Sequence, residues 1–485
     1  MRRAFFCLLM VGVGFAGCLA DAGDGGDGNG VTAATAFEPV VPAVPDFDFS
    51  TVVDPDHGGH EIARLHTAGR GLDLVGHASV QDLLPLGVRG SITAIDVWQD
   101  YVVVAGMEGG LAFAIVDISD KAHPVAVGWA NSPANGWTAR FSEDGNYVFY
   151  GCQMAALQST PTNPGQVVGT CDDPKKVHPP GDVQPGSNPA GVSVWDVSDK
   201  TSPKFVTFTA VAGSHNIFVQ RIAGSDYVFT SATAILKFDP AAKTLTVVAE
   251  VPGRHDSSVV RHPVTGDWLL LTGTNELTIY DVNDPAAPEI VYEPPEEEGY
   301  MSPWVGWHDQ VMVPQLVDGR AILLLAGEHS CNNIPVQCGS QSSERLPDII
   351  SVVDVTNPLE PVLLSQWQPP FNAVIPWNSY LYSVHEMAAT PQGQVATSWY
   401  HAGVWVIDVS TRERQSDAPI IAAYQPHEDL DVVPSTFVQT PIPYVPFVWS
   451  AAWHSEGYLL IPDMHTGLYV MEPEWGLHAA LDTGQ

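Results

Sequence analysis

The sequence predicts an all-β fold, a β-propeller of four-stranded blades. Three observations carry this reading. A strand-ending signature recurs along the chain, short strands are parted by Gly, Pro and Asp turns, and helical periodicity is missing. The signature reads AIVDISDKAHPVAVG from Ala114, VSVWDVSDKTSPKFV from Val192 and LTIYDVNDPAAPEIV from Leu277. It returns as ISVVDVTNPLEPVLL from Ile350 and VWVIDVSTRERQSDAPII from Val404, with degenerate copies from Ile235 and Gly467.

Each copy follows an alternating strand and a second strand centred on an aromatic-apolar run. Examples are Tyr101–Val104, Tyr147–Tyr150, Tyr227–Phe229 and Trp268–Leu271. Four strands recurring about every 40 residues is propeller spacing. Units begin near Ile92, Trp137, Ser214, Arg254, Gly306, Ser383 and Pro446, which makes seven, with six or eight also compatible. The last unit ends after Leu468–Met471 without an outer strand. Leu72–Gly76 resembles Pro124–Gly128, the end of the first unit, so an N-terminal strand is expected to complete the last blade and remove two open edges. The ring then covers residues 72–472, and 473–485 form a tail. Insertions at 153–189 and 327–347 separate second from third strands, and loops of this length are usually functional or disordered. The repeated Asp117, Asp196, Asp281, Asp354 and Asp408 each close a strand, where a carboxylate accepts backbone N–H bonds from the next turn.

These residues resemble the LVIVD-repeat β-propellers, which are exported and often lipid-anchored bacterial proteins. The motifs are Ala114-Ile115-Val116-Asp117, Ser351-Val352-Val353-Asp354 and Val406-Ile407-Asp408, with the turns Asp284 to Pro288 and Asn357 to Pro361. The resemblance implies a fold and no particular activity.

The N-terminus supports export. Arg2 and Arg3 precede an apolar stretch, Ala4 to Ala16, too short for a stable span and followed by small residues. Phe15-Ala16-Gly17-Cys18 resembles a lipobox, so residues 1–17 read as a lipoprotein signal and Cys18 as the lipidated first residue. Residues 18–50 then serve as a tether, with Asp21–Gly30 rich in Gly and Asp. The expected location is the outer membrane, the cell surface or a periplasmic face. Leu19 lacks the retention aspartate of enteric bacteria and favours the outer membrane.

A net charge of −35 argues against nucleic acid and against a polybasic grip on anionic lipid, leaving the N-terminal lipid as the membrane link. Of six cysteines, Cys7 leaves with the signal and Cys18 takes lipid. Cys152, Cys171, Cys331 and Cys338 allow three pairings. Cys152–Cys171 and Cys331–Cys338 are favoured because each brackets a loop-like stretch.

Histidines stand at the start of the first strand in four successive units, as Ser214-His215-Asn216, Arg254-His255-Asp256, Trp307-His308-Asp309 and Val384-His385-Glu386. Thr93, Trp137 and Trp449 take the equivalent place elsewhere. First strands line a propeller's channel, so His215, His255, His308 and His385 are expected to form a ring able to hold one divalent transition metal. Asp256, Asp309 and Glu386 would orient those imidazoles. The competing reading makes the same His–acid pairs hydrogen bonds between blades. His401 and His465 occupy matching hairpins between second and third strands, and His454 falls in the turn after a first strand. No nucleophile elbow, HExxH, phosphate loop or dinucleotide fingerprint is present. Two functions follow, beside a purely structural envelope protein. The first is a cell-envelope binding module whose loops take a protein, peptide or glycan. The alternative is a metal-dependent enzyme, an oxidoreductase among the options, using the axial histidines.

Overall fold

The alternating strands pair as antiparallel meanders, each bonded to the next in sequence. Blade one is Ile92–Trp98, Tyr101–Gly106, Leu111–Asp117 and Val125–Asn131. Blade two is Asn135–Phe141, Tyr147–Gln153, Gly191–Asp196 and Lys204–Ala210. Blade three is Ile217–Ile222, Ser225–Thr230, Ala234–Asp239 and Thr244–Glu250, and blade four is Arg254–Arg261, Trp268–Gly273, Leu277–Asp281 and Glu289–Tyr292. Blade five is Asp309–Met312, Ile322–Ala326, Ile350–Asp354 and Val362–Trp367. Blade six is Met387–Ala389, Gln394–Ser398, Val404–Asp408 and Ile420–Gln425. In blade seven, Ala452–Trp453, Leu459–Asp463 and Gly467–Pro473 are completed by Leu72–Ala78. The fold is thus a seven-bladed β-propeller, closed by the N-terminal strand that the sequence pattern singles out.

This computed structural model describes residues 41–49, 68–85, 91–106, 111–131, 135–153, 167–168, 171–173, 177–178, 189–231, 234–252, 254–273, 277–294, 308–327, 344–345, 349–370, 375–376, 383–426 and 447–476. All fall in the unit Pro39–Gln485; the unit Met1–Glu38, with the signal, Cys18 and most of the tether, lies outside the described residues. So do Cys331, Cys338, residues 477–485 and most of both insertions. No helix among the described residues is long and apolar enough to cross a membrane.

The LVIVD-like strands are apolar throughout because each blade is covered on both faces. Within the third strand of blade one, Ile115 packs with Ala139, Val148 and Trp195 of blade two. Its neighbour Val116 turns to Leu460, Leu468 and Val470 of blade seven. Each such buried side chain contributes roughly 1.5–3 kcal/mol. The strand-ending aspartates cap the following turns. Asp117 Oδ1 accepts the Ser119 N–H at 2.9 Å, and Asp196, Asp281, Asp354 and Asp408 do the same for Ser198, Asn283, Thr356 and Ser410.

Two features extend the N-terminal part beyond the expectation. Ala68–Arg70 pairs with Ile420–Gln425 as a fifth strand on blade six, and Gly71 carries the chain over to blade seven. Gly71 has φ 74°, and a Cβ there would meet the Ile421 carbonyl oxygen at 2.5 Å. Phe49, inside the stretch assigned to the tether, is buried with its ring centroid 6.3 Å from that of Trp405. Cys152 and Cys171 are bonded, as favoured, with S–S 2.06 Å.

Candidate functional site

The first strands form the inner wall. Each touches the first strands of both neighbours, and blade seven closes onto blade one. Residues at the entry of these strands therefore converge, although their blades lie far apart in sequence. His215 has its ring centroid 4.8 Å from that of Trp137, which stacks at 4.8 Å on Trp449. Trp449 lies 4.1 Å from His385, and His385 lies 3.8 Å from His308. Blade one contributes the small Ala94 to the same cluster as Trp137 and Trp449, which leaves room for the two indoles to meet. Tyr400, Phe447 and Met464 complete that cluster. His255 lies on the first strand of blade four, but its side chain is outside the described residues.

Polar side chains tie successive blades together around this wall. Thr93 Oγ1 donates to the Trp137 carbonyl at 2.8 Å, and Thr138 Oγ1 to the His215 carbonyl at 3.1 Å. Ser258 Oγ donates to the Gln310 carbonyl at 2.8 Å, and the Met387 N–H donates to Asp309 Oδ2 at 2.5 Å. His385 Nδ1 donates to the Trp449 carbonyl at 2.9 Å, and the Ile95 N–H to Ser450 Oγ at 3.3 Å. Asp256 Oδ2 lies 3.2 Å from Nδ1 of His308, one blade further on. One His–acid pair of the pattern, Asp256 with His308, thus meets across a blade boundary.

Among the described residues, four acids and one cation, Asp96, Asp256, Asp309, Glu386 and Arg140, line the channel wall, and Asp96 and Arg140 were missed in the sequence. Arg140 of blade two donates from Nη1 to the Ile95 carbonyl at 2.7 Å, with Nη2 3.5 Å from Glu386 Oε2. Asp96 of blade one accepts the Phe141 N–H at 2.8 Å. Burial pushes the Asp309 carboxyl up to about 7, with the Met387 N–H bond opposing and Asp256 adding to the rise. Burial likewise raises Glu386 to about 8, against the pull of Arg140 and with help from Asp309 and Asp256. Asp96 is raised by burial too, and Arg140 and the Phe141 N–H oppose it. The signal that could have found Arg140 and Asp96 was a charge on a first strand, where charge is costly unless paired.

The channel histidines carry part of a ligand arrangement. A carbonyl only accepts, so His385 Nδ1 carries its proton toward Trp449. His308 has its Nδ1 at a carboxylate, one of the partners that commonly orient a ligating imidazole. Among the described residues, though, only Asp100, His454 and Glu456 bring three ligand atoms within 4.8 Å of one another. That group already surrounds a cation of the chain, since Lys121 Nζ lies 2.7 Å from Asp100 and 3.0 Å from Glu456. His401 and His465 are buried beside Phe447, with centroids at 4.9 and 6.0 Å from it, on the hairpins anticipated for them.

Residues 89–131 match the LVIVD repeat family model. No curated protein matches the chain significantly. Among solved structures, the chain is similar to the β-propeller domain of Cps50 (Swd1) from Myceliophteria thermophila. That alignment has 14% identity and TM-score 0.47, covering 82% of this chain and 98% of that one. It is also similar to hydrazine synthase from Kuenenia stuttgartiensis, with 12% identity and TM-score 0.46, and coverage of 82% and 98%. At such identities neither bears on activity.

Proposed function

We propose that this chain, an LVIVD-repeat β-propeller, is a binding module of the bacterial cell envelope, exported and held to the membrane by lipid on Cys18. One observation carries the binding reading. The connections 154–190, 293–308, 327–349, 368–386 and 426–451 each join a second strand to a third, or a fourth strand to the next blade's first. In an antiparallel meander those two kinds of connection leave the same end of the blade. The opposite end is closed mainly by short turns, such as that between Trp98 and Tyr101. A rigid ring presenting its long connections on one face is the usual layout of a recognition platform. The packed aromatic cluster at that end of the channel also favours recognition by the face. The partner is a protein, peptide or glycan, and the charge of −35 disfavours nucleic acid.

Two measurements test this reading. A variant with residues 154–189 replaced by a short Gly-Ser turn, and Cys152→Ser to avoid a lone thiol, is compared with the parent on peptide and glycan arrays. Lost capture with an intact circular-dichroism spectrum is expected, and unchanged capture would sink the proposal. Cys18→Ser should move the protein from the membrane to the soluble fraction.

The Nδ1 contacts of His308 and His385 favour a second reading, a transition-metal site completed by His215 or His255. A bound ion would supply Lewis-acid or redox chemistry there. Elemental analysis of the metal-replete chain decides. Stoichiometric metal lost in His308→Ala and His385→Ala supports the site; none bound makes these histidines ties between blades.

A further inference from the structure

Chain continuity does not hold Ala452–Pro473, the inner three strands of blade seven, to blade one. They are held by side-chain packing, by the Ile95 N–H bond to Ser450 Oγ, by pairing with Leu72–Ala78 and by the turn that contains His454. His454 is buried in that turn. Its Nε2–H donates to the Gln99 carbonyl of blade one at 2.9 Å, and its Nδ1 accepts the Glu456 N–H at 3.2 Å. Gln99 is held in the left-handed region, with φ 50°. Lys121 spans the same seam from blade one to Asp100 and Glu456, with its ammonium 5.7 Å from the centre of the Tyr458 ring.

A neutral imidazole fits this seam in one tautomer, with both nitrogens used. A protonated one has two donors, so the Glu456 N–H loses its acceptor and a second cation stands beside Lys121. The carboxylates of Asp100 and Glu456, each 3.7 Å from a ring nitrogen, pull the other way. We propose that His454 is an acid-sensitive latch on ring closure. Neutral, it clamps the turn of blade seven to Gln99; protonated, it frees that turn, and Gly467–Pro473 parts more readily from Leu72–Ala78.

The direction of its titration agrees. Burial, then Lys121, lower His454 below the ordinary imidazole value, outweighing the Gln99 hydrogen bond and the two carboxylates. The closed seam therefore binds protons less readily than the open one. Closure is strongest above the unfolded histidine value and weakens as pH falls through the lower, closed-state value. His262 offers an internal comparison. In blade four its Nε2 reaches the Val355 carbonyl at 2.8 Å and its Nδ1 accepts the Thr265 N–H at 3.2 Å, but there the chain itself links blade four to blade five.

Amide hydrogen exchange read by mass spectrometry on the full chain tests the latch, at pH 7 and pH 4.5 after correction for intrinsic rates. Exchange in residues 467–473 is expected to rise about tenfold in acid relative to residues 268–281. His454→Gln keeps a donor for Gln99 and takes no proton, so the acid response should vanish. Lys121→Met retains the imidazole and removes the neighbouring charge, so the closed-state value should rise toward the open one and the acid response should shrink; this decides the matter if His454→Gln does not fold. Equal responses in both segments, tighter protection of 467–473 in acid, or an unchanged response in the folded variants would overturn the proposal.

Discussion

The Lys200 ammonium lies 4.5 Å from the centre of the Trp98 ring and 2.8 Å from the Gly145 carbonyl oxygen, fastening a turn of blade two onto blade one. Lys121 holds the same repeat position one blade earlier and reaches into blade seven. The fourth strands pass close beneath both turns. A Cβ on Gly128 would stand 2.0 Å from the Lys200 carbonyl oxygen, and one on Gly76 2.1 Å from that of Lys121. The matching Val-Gly ends of the two fourth strands are thus a packing requirement of adjacent blades.

Gly128→Ala should therefore destabilise by about 1–3 kcal/mol, the usual cost of overpacking, because backbone on the facing turn has to move. Lys200→Met, which keeps the stem and removes the ammonium, should cost about 1–2 kcal/mol. Urea midpoints at constant slope check both.

Arg140→Met leaves Glu386, Asp309 and Asp96 without their cation. A loss of about 3–5 kcal/mol is expected above pH 8, where Glu386 is ionised, as for breaking a buried pair from one side. Adding Glu386→Gln to that variant should recover part of it, and a double-mutant cycle measures the coupling. Simple additivity would mean that the two side chains act independently.

The channel acids make stability fall as the medium becomes alkaline. Asp309 and Glu386 are raised to about 7 and about 8, so the folded protein keeps protons that the unfolded chain has released. Their contribution is complete below the unfolded carboxylate values and is lost as pH climbs through the folded ones. Denaturant midpoints should decline from pH 5 to pH 9 in the wild type and less steeply in Glu386→Gln.

Cys152 and Cys171 close a loop across a sequence separation of 19 and are both buried. Cys171→Ser should cost about 3 kcal/mol, the chain-entropy value for a loop of that size. Thermal melts with and without reductant test this, since reduced wild type should approach the variant.

The sequence by itself determined the elements that depend on neighbours along the chain. Apolar runs such as Ala114–Val116, the Asp caps behind them and the Gly, Pro and Asp turns are local, so the strands and their repeat could be read directly. The likeness of Leu72–Gly76 to Pro124–Gly128 was enough to place the closing strand, because repeats present equivalent edges. Convergence at the channel was legible only as a rule, that equivalent positions face one axis. Which partners meet there was decided by the tertiary structure. Asp256 approaches His308, Met387 bonds to Asp309 at a separation of 78 residues, and His454 reaches Gln99 across 355. Trp137 meets Trp449 beside an alanine of blade one. Such pairs follow from how tightly seven blades close around their axis, and no spacing along the chain records that.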